Sequence, residues 1–115
     1  MNRGDVYWAD IVPCSGRSRP DAALVIVVSN DGFNHTAKWM SIIVVPLSTS
    51  AQAARRGPTV VAVPEGTAGL SKASVAVCHQ VTTLDRSKLA RRIGALPGSL
   101  MREVELGLMA AMDLE

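Results

Sequence analysis

The sequence predicts one mainly β (α+β) domain over residues 1–115: a small, strongly bent sheet or barrel capped by a C-terminal helix. Three observations carry this. Short apolar runs follow one another at close spacing, separated by Gly, Pro, Asn and Asp. Only one stretch, at the C-terminal end, has the spacing of an amphipathic helix. And 115 residues, 48% of them hydrophobic, can build one core without disulfide or metal support.

In chain order, residues 4–11 (GDVYWADI) alternate Val6, Trp8 and Asp10 against Tyr7, Ala9 and Ile11, the pattern of a strand. Trp8, inside it, is expected in the core. Residues 22–29 (AALVIVVS) form a continuous apolar run, as in a strand buried on both faces. NDGFNHTA then carries turn residues. Residues 41–48 (SIIVVPLS) read as another buried strand ending near Pro46, and residues 57–63 as a fourth. PEGTAGL is a turn region. Residues 74–81 (SVAVCHQV) make a fifth strand, with Val77 and His79 on one face and Cys78 and Gln80 on the other. A short strand covers 92–96.

The helix spans 97–112. Pro97 suits its first turn, where a missing N–H costs nothing. Leu100, Met101, Val104, Leu108, Ala111 and Met112 form one apolar stripe. Gly107 is unfavourable in a helix, so a close neighbour is expected to leave no space there for a side chain.

Charge is mildly positive, with 12 Lys and Arg against 10 Asp and Glu, which does not by itself demand a polyanionic partner. It is unevenly placed: residues 85–92 (DRSKLARR) are basic and the last nineteen residues acidic. The apolar fraction is high for so small a surface-rich chain, which points to a homodimer. Cys14 and Cys78 are expected as two reduced thiols in a cytoplasmic protein. No membrane span, signal peptide, nucleotide-binding glycine loop, H-E-x-x-H zinc motif, paired-acid nuclease pattern or nucleophile elbow is present.

Five segments, RGDVYWADI, VIVVSNDGFN, VVPLSTS, SVAVCHQVTTLDRSKL and IGALPGSLMREVELGL, come in the order and spacing of the MazF/PemK family. The chain resembles these toxins of type II toxin–antitoxin modules from about Arg3 to Leu114. The resemblance implies an SH3-like β-barrel and a homodimer. It implies a metal-independent endoribonuclease, without cofactor, that cuts single-stranded RNA (mRNA, or rRNA or tRNA) at short sequences. It also implies a cognate MazE-like antitoxin whose tail lies across the RNA groove.

Metal-free RNA cleavage needs a base for the 2′-OH proton, an acid for the leaving 5′ oxygen, and donors or cations for the phosphoryl charge. Arg17 and Arg19, on the loop after the first strand, offer guanidinium forks to phosphate. The family's Arg-Pro pair falls on Ala23-Leu24 when counted back from SND, and on Arg19-Pro20 when counted forward from Gly16. Arg19 is the arginine candidate for catalysis. Ser48 falls where the family often has a catalytic threonine, and adjacent Thr49 can also donate to a phosphoryl oxygen. His79, where the family often has an acid, is the candidate proton shuttle, with Gln80 beside it.

The remaining RNA-binding candidates are Phe33 and Trp39, which can stack bases beside Lys38, and Arg55 and Arg56 as a phosphate track. Two alternatives stay open. A degenerate relative would bind RNA or antitoxin without cleaving. A CcdB-like gyrase poison would need a C-terminal Trp-Gly-Ile, whereas this chain ends AAMDLE.

Overall fold

The computed structural model describes residues 1–11, 21–49 and 57–114. Cys14, Arg17, Arg19, Arg55 and Arg56 lie outside the described residues. The strands are β1 (Asp5–Ile11), β2 (Asp21–Val27), β3 (Ser41–Ser48), β4 (Val60–Val63), β5 (Ser74–Val77), β6 (Thr82–Asp85) and β7 (Leu89–Ala95). A one-turn helix α1 (Asp31–Asn34) follows β2, and α2 (Gly98–Met112) ends the fold.

Hydrogen bonding runs β4-β5-β3-β2-β1-β7, with β6 added on β3, and each pairing is antiparallel. The expected architecture of a mostly β domain with a C-terminal helix is observed. The sheet does not close into a barrel among the described residues, because its path has two ends, at β4 and β7. β3 joins its two parts. One edge of β3 bonds β2 through Val44–Pro46; the other bonds β6 through Ser41–Val44 and then β5 through Leu47 and Ser48.

The apolar runs bury both sheet faces. Val25, Val27, Ile42 and Val44 pack with Ala9 on one side. Val6, Ile26, Val28 and Val45 pack on the other with Val61, Val63, Met101 and Val104, under α2. Strand alternation sends neighbouring residues of β2 and β3 into different clusters. α2 lies on β4 and on the turn Cys78–Gln80. A Cβ on Gly107 would stand 2.7 Å from the Cys78 sulfur, so the glycine marks the close approach that its helical position implied. Arg3 ties the other end of the chain to α2: its Nη1 donates to Glu105 at 2.7 Å, and its Nε to the Val28 carbonyl at 3.1 Å.

Several boundaries differ from expectation. The strand over 74–81 stops at Val77, because Cys78 turns inward to be fully buried and its sulfur donates to the Val104 carbonyl. The face assignment for His79 therefore fails: it stands on a 3₁₀ turn. β6 is an additional strand, and the short strand over 92–96 begins three residues earlier. Pro97 caps α2 rather than entering its first turn.

Candidate functional site

Two adjoining cavities of about 330 and 260 Å³ open beside Leu24 and Leu47, on the sheet face that α2 also packs on, and no α2 residue is in their described lining. They share Trp8, Leu24, Thr49 and Ser74. The larger adds Ala23, Leu47 and Ser48; the smaller adds Leu70, Ser71 and Lys72. Register explains the assembly. Trp8 of β1 pairs with Leu24 of β2 on one side and with Arg91 of β7 on the other, and paired residues share a face. Ser48, the last residue of β3, pairs with Val75, which brings the start of β5 and the turn before it alongside.

Trp8 is half-buried and forms an apolar floor, not the core position expected of it. The helix packs mainly on β4 and the Cys78–Gln80 turn, and its described residues are not among those lining the cavities that Trp8 shares. Ser48 is half-buried, Thr49 exposed and Ser74 buried, and all three line the larger cavity with Trp8. The Ser74 hydroxyl donates to the Lys72 carbonyl at 3.1 Å and fixes the turn carrying that lysine. Ala23 contributes no charge, and among the described residues Lys72 is the cation of the cavity lining. Both Lys72 and Ser74 escaped sequence reasoning, since only the β3–β5 register brings them to Ser48.

His79 is not among the residues lining either cavity. It lies four positions past Val75, beyond the far end of β5, with Gln80 exposed next to it. Its Nδ1 is 2.7 Å from the Thr59 hydroxyl, which fixes the ring. Phe33 and Trp39 stack on each other, with centroids 4.3 Å apart and planes at 10°. The two residues are 41% and 42% exposed, so the pair stands at the surface. Arg86 builds this platform by donating to the carbonyls of Phe33, Thr36 and Trp39 at 2.9–3.0 Å, a role the basic stretch did not announce. Lys38 is exposed on the same loop. The Trp39 indole donates to the Ser41 carbonyl, at the opposite end of β3 from Ser48. Seven residues at strand rise separate the two by about 23 Å. The structure therefore brings Ser48 and Thr49 together, and leaves His79 and the aromatic pair at other places.

Among the described residues no group of three His, Cys, Asp or Glu side chains converges to hold a metal ion. Burial pushes the Cys78 thiol up to about 11, so it is no nucleophile.

The profile of a family described as PemK-like, MazF-like toxin of type II toxin-antitoxin system matches residues 2–112. Endoribonuclease MazF2 of Mycobacterium bovis is 33% identical over 114 residues, covering 99% of this chain and 98% of that protein. Endoribonuclease MazF6 of Mycobacterium tuberculosis matches to the same extent. Among solved structures, an endoribonuclease from Mycobacterial species superposes with a TM-score of 0.74 at 26% identity, over 97% of this chain and 90% of that one. A MazE-MazF complex from Deinococcus radiodurans shares the fold, with a TM-score of 0.79 at 21% identity over 100% and 97% of the two chains. A match that runs from Asn2 to Met112 takes in every strand and both helices described above, and this chain belongs to the PemK-like, MazF-like toxin family of type II toxin–antitoxin systems.

Proposed function

We propose that this protein is a toxin endoribonuclease that cuts single-stranded RNA without a metal ion and is restrained by a cognate MazE-like antitoxin. The observation that carries the reading is its full-length relationship to curated proteins named endoribonuclease.

The cavity's chemistry suits it. The 2′-OH attacks phosphorus, the new P–O2′ bond forms as the P–O5′ bond breaks, and a cyclic phosphate and a 5′-OH result. Ser48 and Thr49 donate hydrogen bonds to the phosphoryl oxygens, and Arg19 supplies positive charge. The 2′-OH proton passes through water to the 5′ oxygen, while His79, its ring held through Nδ1 by Thr59 beyond the end of β5, contacts the RNA flank outside the cavity. RNA then runs from the Trp8 cavity along β5. Gln80, Arg17, Arg55 and Arg56 hold its flanks. Phe33, Lys38 and Trp39 stack or pair with bases beyond the cleaved bond. The 2′-OH requirement selects RNA over DNA.

A second copy completes the assembly. A groove of about 350 Å³ between α2 and the sheet is lined by Val28, Ile43, Val81, Leu108 and Met112. Ile43, Leu106, Met112 and Leu114 are large apolar side chains at 38–57% exposure, as expected of a face that a homodimer covers. We place the protein in the cytoplasm, where its RNA substrates are; no helix among the described residues is long and apolar enough to cross a membrane.

In excess EDTA the protein should cut single-stranded RNA and spare DNA of the same sequence. Cleavage lost on chelation and restored by magnesium refutes the metal-free chemistry. Ser48→Ala should slow single-turnover cleavage while RNA binding stays within a few fold, and His79→Ala should weaken RNA binding more than it slows cleavage of bound RNA; a wild-type rate in the first or wild-type affinity in the second would remove that assignment. A second reading has its own support. Ala23 lines the cavity beside Ser48, so the register that gives the family's arginine position to alanine fits this geometry. In that reading the protein binds RNA or antitoxin without cleaving, and wild type would leave RNA intact.

A further inference from the structure

We propose that Lys72 is a phosphate-binding cation of this cavity, taking with Arg19 the charge of the phosphoryl oxygens that lie against Ser48 and Thr49. The proposal rests on the RNA-cleaving reading and deepens it.

A guanidinium or ammonium is needed where charge builds on phosphorus, and the wall formed by β2 offers Ala23 and Leu24. The opposite wall is the turn before β5, and Lys72 is on it, in the lining shared with Trp8 and Thr49. Three features make this more than a surface lysine. Its backbone is anchored: the buried Ser74 hydroxyl donates to its carbonyl, and Ser74 itself lines both cavities. Its ammonium has no carboxylate partner among the described residues, so no internal ion pair must break before an anion binds. And the hydroxyls of Thr49 and Ser48 approach from the β3 end, so a tetrahedral phosphate entering over the Trp8 indole meets donors on one side and a cation on the other. Lysine serves as a compact point charge that follows the oxygen as its charge grows. The acid to reckon with is Asp10, exposed on the same face of β1 as Trp8. It lies two residues nearer the strand end and tends to exclude an anion from that side, directing phosphate toward Lys72.

The test is single-turnover cleavage of a mixed-sequence single-stranded RNA pool in EDTA, with RNA binding measured across a salt series. Lys72→Met keeps the four-atom apolar stem without the ammonium and, at an exposed position, leaves thermal unfolding unchanged. It should slow cleavage about 10²-fold and lower the slope of log affinity against log salt by about 0.7. Lys72→Arg should recover most of the rate. Adding Ala23→Arg to Lys72→Met should recover part of it, by returning a cation from the opposite wall. Arg102→Met, an equal loss of charge on the exposed side of α2, should behave as wild type. If wild type cleaves and Lys72→Met cleaves within twofold of it with the same salt slope, Lys72 is not a phosphate-binding cation and the endoribonuclease reading stands. If Lys72→Arg is as slow as Lys72→Met, charge is not what the position provides, and the proposal falls. If wild type neither binds nor cuts the pool, both readings fall together.

Discussion

Gly107→Ala sets two known effects against each other at one atom. In an exposed helix the change stabilises by about 1 kcal/mol, because alanine loses less backbone freedom than glycine. Here the added Cβ would lie 2.7 Å from the Cys78 sulfur, 3.3 Å from its Cβ and 3.5 Å from Val61 Cγ2. The sulfur cannot swing away, because Cys78 is fully buried and its backbone N–H is held by the Thr59 carbonyl. Relieving the overlap must move α2 off β4 and the Cys78–Gln80 turn, and overpacking of this kind costs about 1–3 kcal/mol. The net expectation is a loss of roughly 1 kcal/mol, or about 4 °C in Tm. Cys78→Ala should cost a similar amount alone, through the vacated volume and the lost contact to the Val104 carbonyl. In the double variant the new methyl occupies the sulfur's place, so the two losses should fail to add by about 1 kcal/mol or more. Urea unfolding at one fixed protein concentration measures all four proteins, since a dimer's apparent stability changes with concentration. A Gly107→Ala protein more stable than wild type by the full helix-propensity gain, or strict additivity in the cycle, would show that helix and turn do not touch as described.

Arg86→Ala should remove the donors that hold the carbonyls of Phe33, Thr36 and Trp39, loosening the aromatic pair. Near-UV circular dichroism should lose aromatic signal, with a stability loss of about 1–3 kcal/mol; an unchanged spectrum contradicts the buttress. The hydrogen bond from Arg3 holds the Glu105 carboxyl below its ordinary value of 4.5. A depressed folded value means its contribution is complete above that ordinary value and is lost as pH falls through the folded one. Glu105→Gln should thus be less stable than wild type at pH 7 by well under about 1 kcal/mol, given solvent screening of a pair about a third exposed. The difference should vanish in strong acid; a constant offset across pH refutes the assignment. Cys78 should resist iodoacetamide at pH 8 until the protein is unfolded, read by peptide mapping that separates it from Cys14. Rapid labelling of native protein would mean that the turn beneath α2 is open.

The strands whose evidence is local were visible in the sequence. The run around Val25–Val28 is apolar on both faces because both faces are covered, the run around Ile42–Val45 leaves only Ile43 open to the outer groove, and the helix announced itself through period and through Gly107. What depends on distant partners was not visible. Thr82–Asp85 has no alternation to reveal a strand; pairing with Ser41–Val44 makes it one. The strand through Val77 could not be seen to stop, since the cause is a cysteine drawn under a helix twenty-six residues later. The site divides in the same way. Ser48 and Thr49 were legible as hydroxyls at a strand end. Lys72 was one cation in an unremarkable turn until the β3–β5 register brought it to them. Trp8 looked like core because composition shows that a strand is apolar, not which part of its face the helix fails to reach.

β3 has a further consequence as a measure of length. Ile43 faces the outer apolar groove and Ser48 ends in the cavity, and five residues of one extended segment fix both their separation and their relative direction. Neighbouring strands grip this segment along both edges, so it cannot slide to absorb a change. One residue inserted between the two would reverse the facing of one relative to the other. Two residues would restore the facing but push the hydroxyl about 7 Å out of place. Change in loop length is therefore tolerable before Ser41 and after Thr49, whereas the span between is a ruler with a single permitted length.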